Sequence, residues 1–183
     1  MEYLVVVDCQ HDFIDGSLAC AHSREAVRYL VDFINTHDVA VAYTSDWHSP
    51  ANRSFKENGG IWPVHCVAGT HGASLAEEFA KDVADVSQRP CGKTLFLKGL
   101  DDEVEEYSAF GGKNEEGTAL SAVVSPHVYV GGIASEYCVR ETVLDLLAAG
   151  YTVTLLAEGL GYVDAGGHRK NLEDLRRKGV QIE

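Results

Sequence analysis

Six residues of this chain are of types that do chemistry together once a fold gathers them: Asp8, Asp46, His48, His65, Lys98 and Cys138. Cys138 closes the stretch Val-Gly-Gly-Ile-Ala-Ser-Glu-Tyr-Cys that starts at Val130, where a short apolar β-type run meets two glycines and a helical pattern begins. Strand, glycine turn and helix start form a local geometry that aims backbone N–H groups at a ligand and favours negative charge there. A thiol in the first turn of such a helix is expected to have a lowered pKa, because the thiolate sits against the positive end of the dipole. Cys138 is therefore the expected nucleophile. The competing reading is a buried, inert cysteine, since free cysteine is among the most buried residue types.

A thiol nucleophile needs a base, and Asp8, at the end of the apolar run Tyr3 to Val7, is the candidate. A carboxylate with a reference pKa of ~3.9 is a poor base for a thiol of ~8.5. Burial of the aspartate and a helix terminus at the cysteine would narrow that gap from both sides. Lys98 could hold the anionic partner in place or stabilise charge in the transition state. The second constellation is Asp46-Trp47-His48, with His65 further along the same loop. Asp and His two apart on an extended segment project to one side. Two imidazoles and one carboxylate, with positions left open, suit Zn²⁺, Mn²⁺ or Fe²⁺ better than a closed structural zinc site. Phe13, Trp62, Phe110 and Tyr137 lie near these polar groups in sequence and could form a slot for a flat ring.

The elements that must position these groups alternate along the chain. Apolar, β-rich runs mark strands at Tyr3 to Val7, Val39 to Thr44, Thr94 to Leu97, His127 to Val130, Tyr151 to Ala157 and Val180 to Ile182. Helical spacing marks Val27, Leu30, Val31 and Ile34, with Ser23 as the expected N-cap. It also marks Leu75, Phe79 and Val83, a short helix ending near Val124, Cys138 to Ala149, and His168 to Lys178. Ser45 to Ser74 lacks clean periodicity, and so does Gly99 to Gly117; connections this long inside a compact domain are usually functional. Continuous apolar strands alternating with helices imply an α/β fold, a doubly wound six-stranded parallel sheet with helices on both faces. Ligands in such folds bind beyond the carboxyl ends of the strands. Asp8, Asp46, Lys98 and Cys138 each follow a different strand, so they are expected to be neighbours in space.

Composition bounds the rest. A chain of 183 residues suits one domain, residues 1–183, with a core that needs no staples. A formal net charge of -13 without any basic run argues against nucleic acid and anionic membrane as partners. No apolar stretch approaches the ~20 residues of a membrane span, and Met1 leads directly into a strand. Five cysteines, an odd number with no tight pair, fit a reduced, cytoplasmic protein with free thiols.

These segments carry a specific resemblance. Val7-Asp8-Cys9-Gln10-His11-Asp12-Phe13, Asp46-Trp47-His48, Trp62-Pro63-Val64-His65-Cys66-Val67, Lys98-Gly99 through Tyr107-Ser108-Ala109-Phe110, and Gly132-Ile133-Ala134 to Cys138 span nearly the whole chain in family order. Together they resemble the nicotinamidase (pyrazinamidase) branch of the isochorismatase-like cysteine hydrolases. The resemblance implies deamidation of nicotinamide to nicotinate and ammonia, in NAD salvage, with Asp8, Lys98 and Cys138 as catalytic triad. It implies one divalent ion, zinc foremost with manganese or iron as alternatives, on Asp46, His48 and His65. It further implies Phe13 and Trp62 as walls for the pyridine ring, with Ala134 and Tyr137 beside it. The resemblance implies, too, a cis peptide before Ala134 that would turn the N–H groups of Ala134 and Cys138 into an oxyanion hole. The partner is a small molecule, and a homo-oligomer is compatible with all of this.

Three departures stand out: Asn52 where relatives usually have a further metal-ligating histidine, Cys9 for the commoner valine, and His71. For the missing ligand, Glu57, His71 and a water held by Asn52 are the alternatives, with Glu57 as the hypothesis. Two rival functions remain: a related amidase acting on another small amide or carbamoyl compound, and a non-enzymatic metal-binding module.

Overall fold

The computed structural model describes all residues, 1–183. Its strands are β1 (Glu2–Val7), β2 (Val39–Asp46), β3 (Leu95–Lys98), β4 (His127–Gly132), β5 (Thr152–Leu160) and β6 (Gln181–Ile182). Its helices are α1 (His11–Ile14), α2 (Ser23–Thr36), α3 (Glu78–Lys81), α4 (Arg140–Ala148) and α5 (Ala165–Arg177). The strands form one six-stranded sheet in the order β3-β2-β1-β4-β5-β6, and every neighbouring pair is parallel. Strand order reverses between β1 and β4, which opens a crevice at their carboxyl ends.

The alternation of β1 builds both cores. Leu4 and Val6 face one side, with Val41, Tyr43 and the buried stripe Leu30, Val31 and Ile34 of α2. Val5 and Val7 face the other, with Val128, Val130, Val143 and Leu146 of α4, and Leu175 of α5. Helices thus cover both faces, as a parallel sheet requires. No helix is long and apolar enough to cross a membrane. At the crevice β4 must run hard against β1. Gly132 has φ +131°, and a Cβ there would lie 2.0 Å from the Val7 carbonyl oxygen, so only glycine serves.

Several elements differ from expectation, for local reasons. The helix expected from Leu75 through Val83 shrinks to α3. Asn35 bonds the Asp82 carbonyl and the Ala84 N–H, and Arg89 takes the Val83 carbonyl, which removes these groups from a helical ladder. Ser23 is the first helical residue rather than the cap: its hydroxyl donates back to the Cys20 carbonyl at 2.9 Å, and His22 holds the cap position at φ 61°. The helix expected before Val124 is a single 3-10 turn, Leu120–Ala122. The regular helix expected from Cys138 begins instead at Arg140. Cys138 sits in a preceding π-helical turn, Ser135–Val139.

Candidate active site

All four strand-end residues meet. Asp8, directly after β1, has φ 47° and is fully buried; Asp46 and Lys98 end β2 and β3 and are paired in register; Cys138 lies in the turn after β4. The Lys98 ammonium is the hub. It lies 2.9 Å from Asp8 Oδ2 and 3.5 Å from Cys138 Sγ, and it donates to Asp46 Oδ1. Asp8 Oδ1 accepts from the Thr44 hydroxyl at 2.6 Å, while Oδ2 has the lysine's charge beside it but no aligned hydrogen bond. That oxygen is left as a free acceptor.

The electrostatics follow from burial. Desolvation pushes the Asp8 carboxyl up, against the pull of Lys98, and the nearby Asp46 charge pushes it the same way. Burial alone would raise Asp46 too, but Lys98 and His48 hold it well below the ordinary carboxylate range. Burial would lower Lys98, yet the two aspartates keep it firmly protonated. The Cys138 thiol corrects the expectation of a lowered pKa. Desolvation drives it well up, Lys98 opposes this, and Asp8 and Asp46 reinforce it. The helix dipole does not decide the matter, because the thiol is buried beside two carboxylates and upstream of α4. The resting residue is a thiol with a basic carboxylate nearby.

Asp46 belongs to both constellations. Its Oδ1 takes Lys98, and its Oδ2 lies 3.5 Å from His48 Nε2 and 4.0 Å from His65 Nε2. Both imidazoles are aimed from behind: His48 Nδ1 bonds the Gly99 carbonyl at 2.8 Å and His65 Nδ1 the Pro63 carbonyl at 2.8 Å. Carbonyl acceptors at Nδ1 leave each Nε2 lone pair facing inward, the usual support for a metal-binding histidine. Ligand atoms about 2.1 Å from a tetrahedral centre lie roughly 3.4 Å apart, so this donor set fits a divalent ion. Asp8, Asp46 and Cys138 also cluster within 4.8 Å. That second group is already served by a cation, Lys98, among its three members.

The surrounding chain fixes these groups. The buried Gln10 side chain accepts from Asp46 N–H at 2.9 Å and donates to the Asp46 carbonyl at 2.8 Å. Asp12 accepts from Cys66 N–H at 2.7 Å, and the Cys66 carbonyl accepts from His48 N–H at 3.0 Å, which brings the His65 segment beside His48. The Ile133–Ala134 peptide is cis, as the resemblance implied, and the Ala134 N–H donates to no group of the protein.

A cleft opens onto these groups, with Phe13, Trp62, Tyr107, Ala134, Tyr137 and Cys138 in its walls. Phe13, Trp62, Ala134 and Tyr137 are therefore where expected. Phe110 is not: it packs into the core under α4, beside Tyr151. Glu57 is also displaced from the expected role. It is exposed on a 3-10 turn, Lys56–Asn58, and is not part of the cleft wall. His71 is exposed and stacks on His11 at 4.0 Å. Asn52 is buried at the cleft, but its Oδ1 accepts from Ser54 N–H and its Nδ2 reaches the Gly99 and Asp101 carbonyls. The amide is committed to the loop. Ser54, Glu105 and Glu106 line the cleft and were not singled out from sequence. They lie in the two aperiodic connections, where no spacing rule marks them.

A profile of the isochorismatase domain matches residues 2–183. The chain belongs to the isochorismatase family. It is an amidohydrolase by the relatives this membership brings. The nicotinamidase/pyrazinamidase of Mycobacterium tuberculosis is 30% identical over 194 residues, covering 100% of this chain and 98% of the relative. Among solved family structures, the pyrazinamidase of Pyrococcus horikoshii in complex with zinc is 32% identical with a TM-score of 0.83, covering 100% of this chain and 98% of that one. PnC1 of L. infantum in complex with nicotinate is 26% identical with a TM-score of 0.84, covering 100% and 92%.

Proposed function

We propose that this family member deamidates nicotinamide to nicotinate and ammonia, and pyrazinamide likewise, through a thioester on Cys138. The observation that carries the reading is the shared carboxylate. Asp46 joins a thiol–lysine–aspartate cluster to a two-histidine donor set, at the floor of an aromatic-walled cleft. A metal-binding module would not need the cluster, and an amidase indifferent to its substrate's ring would not need the donor set.

Asp46, His48 and His65 would hold a divalent ion, with zinc the first choice and manganese or iron suited to the same donors, and when bound it would supply Lewis acidity toward the ring nitrogen. Phe13 and Trp62 hold the ring and set the carboxamide carbon beside Cys138. Asp8, its basicity raised by burial, takes the thiol proton as Sγ attacks. Lys98, 3.5 Å from Sγ, stabilises the negative charge as it forms. The developing oxyanion is received by the Ala134 and Cys138 N–H groups. Asp8 returns the proton to the leaving nitrogen, ammonia departs and the thioester remains. Asp8 then takes a proton from water, hydroxide oxygen bonds to the carbonyl carbon, and the C–S bond breaks as Asp8 returns that proton to Sγ, leaving the thiol and nicotinic acid, which ionises to nicotinate.

We read residues 1–183 as one domain of this hydrolase, with the matched profile in support. Free thiols at all five cysteines suit a reduced, cytoplasmic setting and a role in NAD salvage. The test is an ammonia-release assay with nicotinamide, pyrazinamide and benzamide. The first two are turned over. Benzamide, lacking the ring nitrogen, falls by a hundredfold or more, about the cost of leaving a directed polar contact unmade. Equal turnover of benzamide and nicotinamide would transfer the reading to a different amide.

A further inference from the structure

The outer wall of the cleft is fastened by a triangle of polar atoms that the reaction leaves without a task. The Trp62 indole N–H donates to the Tyr107 hydroxyl at 3.0 Å and to Glu105 Oε1 at 3.2 Å. Tyr107 gives its one hydroxyl proton to the same Glu105 oxygen. Tyr137 completes the wall, edge-on to Trp62 with centroids 4.9 Å apart and tilted against Tyr107 at 5.7 Å. Trp62 comes from the connection after β2, and Glu105 and Tyr107 from the connection after β3. At their base these connections are joined by other bonds, Ser49 hydroxyl to Asp102 at 2.7 Å and Arg53 N–H to the Asp102 carbonyl at 2.9 Å. At the cleft itself, the triangle alone fixes the plane of the Trp62 ring through a polar contact.

We propose that Glu105 is a positioning residue: with Tyr107 it locks the Trp62 indole in one orientation, so that the cleft is preset as a slot for a flat aromatic amide. This deepens the proposed function and rests on it for the substrate class. The physical argument is preorganisation. A wall already held in its bound orientation has less freedom to lose when the ring enters, so affinity improves without a new contact to the ligand. Bonds to a carboxylate are about twice as strong as neutral ones, which suits Glu105 to hold two donors at an exposed rim. Its influence should fall on binding rather than on the chemistry at Cys138.

The experiment uses Glu105→Ala, Glu105→Gln, Tyr107→Phe and the Glu105→Ala/Tyr107→Phe double variant, each checked for parental circular dichroism. Two readouts are taken: kcat and KM for nicotinamide, and exchange of the Trp62 indole N–H in ¹⁵N-tryptophan-labelled protein, with Trp47 as internal control. Expected in Glu105→Ala and Tyr107→Phe is a KM increase of about threefold to tenfold, the range for loss of one net hydrogen bond, with kcat within about threefold. Indole exchange accelerates by a similar factor at Trp62 and not at Trp47. Glu105→Gln, which keeps an acceptor of the same shape but not its charge, falls between the parent and Glu105→Ala. The double variant exceeds either single one, because each single variant leaves the Trp62 N–H one acceptor and only the double removes both. Unchanged Trp62 exchange in the double variant overturns the proposal, as does a double variant no worse than either single one or a Glu105→Gln as impaired as Glu105→Ala. A parent enzyme without nicotinamide turnover would count against the functional reading, while indole exchange would still decide whether the latch exists.

Discussion

Replacing Lys98 by methionine tests the electrostatic core of the site. The stem is nearly isosteric, so the change removes a charge from a position that is 1% exposed and little else. Two carboxylates then lose their cation: Asp8, 2.9 Å from it and 0% exposed, and Asp46, which is 4% exposed. Breaking a buried ion pair costs about 3–5 kcal/mol, because the remaining charge stays desolvated. For a chain of this length each kcal/mol moves the melting midpoint by about 2–4 °C, so Lys98→Met should melt roughly 6–20 °C lower near pH 8. The pH dependence has a definite sign. Without the ammonium, burial raises both folded-state carboxyl pKa values above their unfolded values of ~3.9. Groups shifted upward contribute stability while protonated and lose it as pH rises through the raised value. The deficit against the parent should therefore be smallest near pH 4–5 and largest at pH 8. Differential scanning calorimetry of chelated parent and variant at pH 5, 6.5 and 8 reads this directly; chelation matters because an ion on Asp46 would offset part of the loss. A parental midpoint at pH 8, or a deficit that does not shrink toward pH 5, refutes the picture of Lys98 as the counter-ion of both aspartates.

Other outcomes follow from the same geometry. Cys138→Ala should keep the fold and lose nicotinamide turnover by several orders of magnitude in the ammonia assay, and retained turnover removes the thioester. In the free enzyme iodoacetamide should label Cys91 before Cys138, as read by peptide mass spectrometry: Cys91 is exposed and lowered by bonds from Thr94, whereas burial raises Cys138. Faster labelling at Cys138 would mean the thiol is not held protonated. The rate should fall as pH drops through the raised Asp8 pKa, since the base must be anionic; Thr44→Val, removing a donor that lowers that pKa, should move the acid limb of kcat/KM upward. Metal content by plasma mass spectrometry should collapse in Asp46→Asn and His48→Ala and hold in Glu57→Gln and His71→Ala; loss in Glu57→Gln would show that the 3-10 turn swings inward when loaded.

What could be read in advance was whatever obeys a period. The six strands are apolar and β-branched, so their carboxyl ends, and with them Asp8, Asp46, Lys98 and Cys138, were assigned from spacing alone. Phe13, Trp62 and Tyr137 could be placed at the cleft because they neighbour those residues or the matching motifs. The misreadings lie where tertiary contacts overrule local pattern. Phe110 has the loop context of a pocket residue but is drawn into the core beside Tyr151. Glu57 has a suitable distance along the chain from His48, yet its turn faces solvent. Gln10 and Thr44 orient Asp46 and Asp8 through hydrogen bonds across 36 residues of sequence, a separation at which no pattern reports. The Cys138 pKa failed for a different reason. A helix-start argument counts one dipole, whereas the thiol is buried beside a lysine and two carboxylates.

Register is what ties these scattered residues to one chemistry. The β2–β3 pairing sets Asp46 opposite Lys98, and the β1–β2 pairing brings Asp8 N–H to the Thr44 carbonyl at 3.2 Å. Side chains alternate along a strand, so a slip of one residue in β2 would turn Asp46 away from Lys98 and force Val41 and Tyr43 into the opposite core, at the place of Ala42. The burial of Val41 and Tyr43 on one face and Ala42 on the other therefore holds the catalytic geometry as firmly as any contact inside the site. The same logic explains the division of Asp46. A strand-end carboxylate in fixed register offers its two oxygens in two fixed directions, one to the lysine on the neighbouring strand and one to the histidines of the loop that β2 feeds. The thiol cluster and the imidazole pair are thereby held at a constant separation, which is what the proposed orientation of a rigid ring against Cys138 would demand.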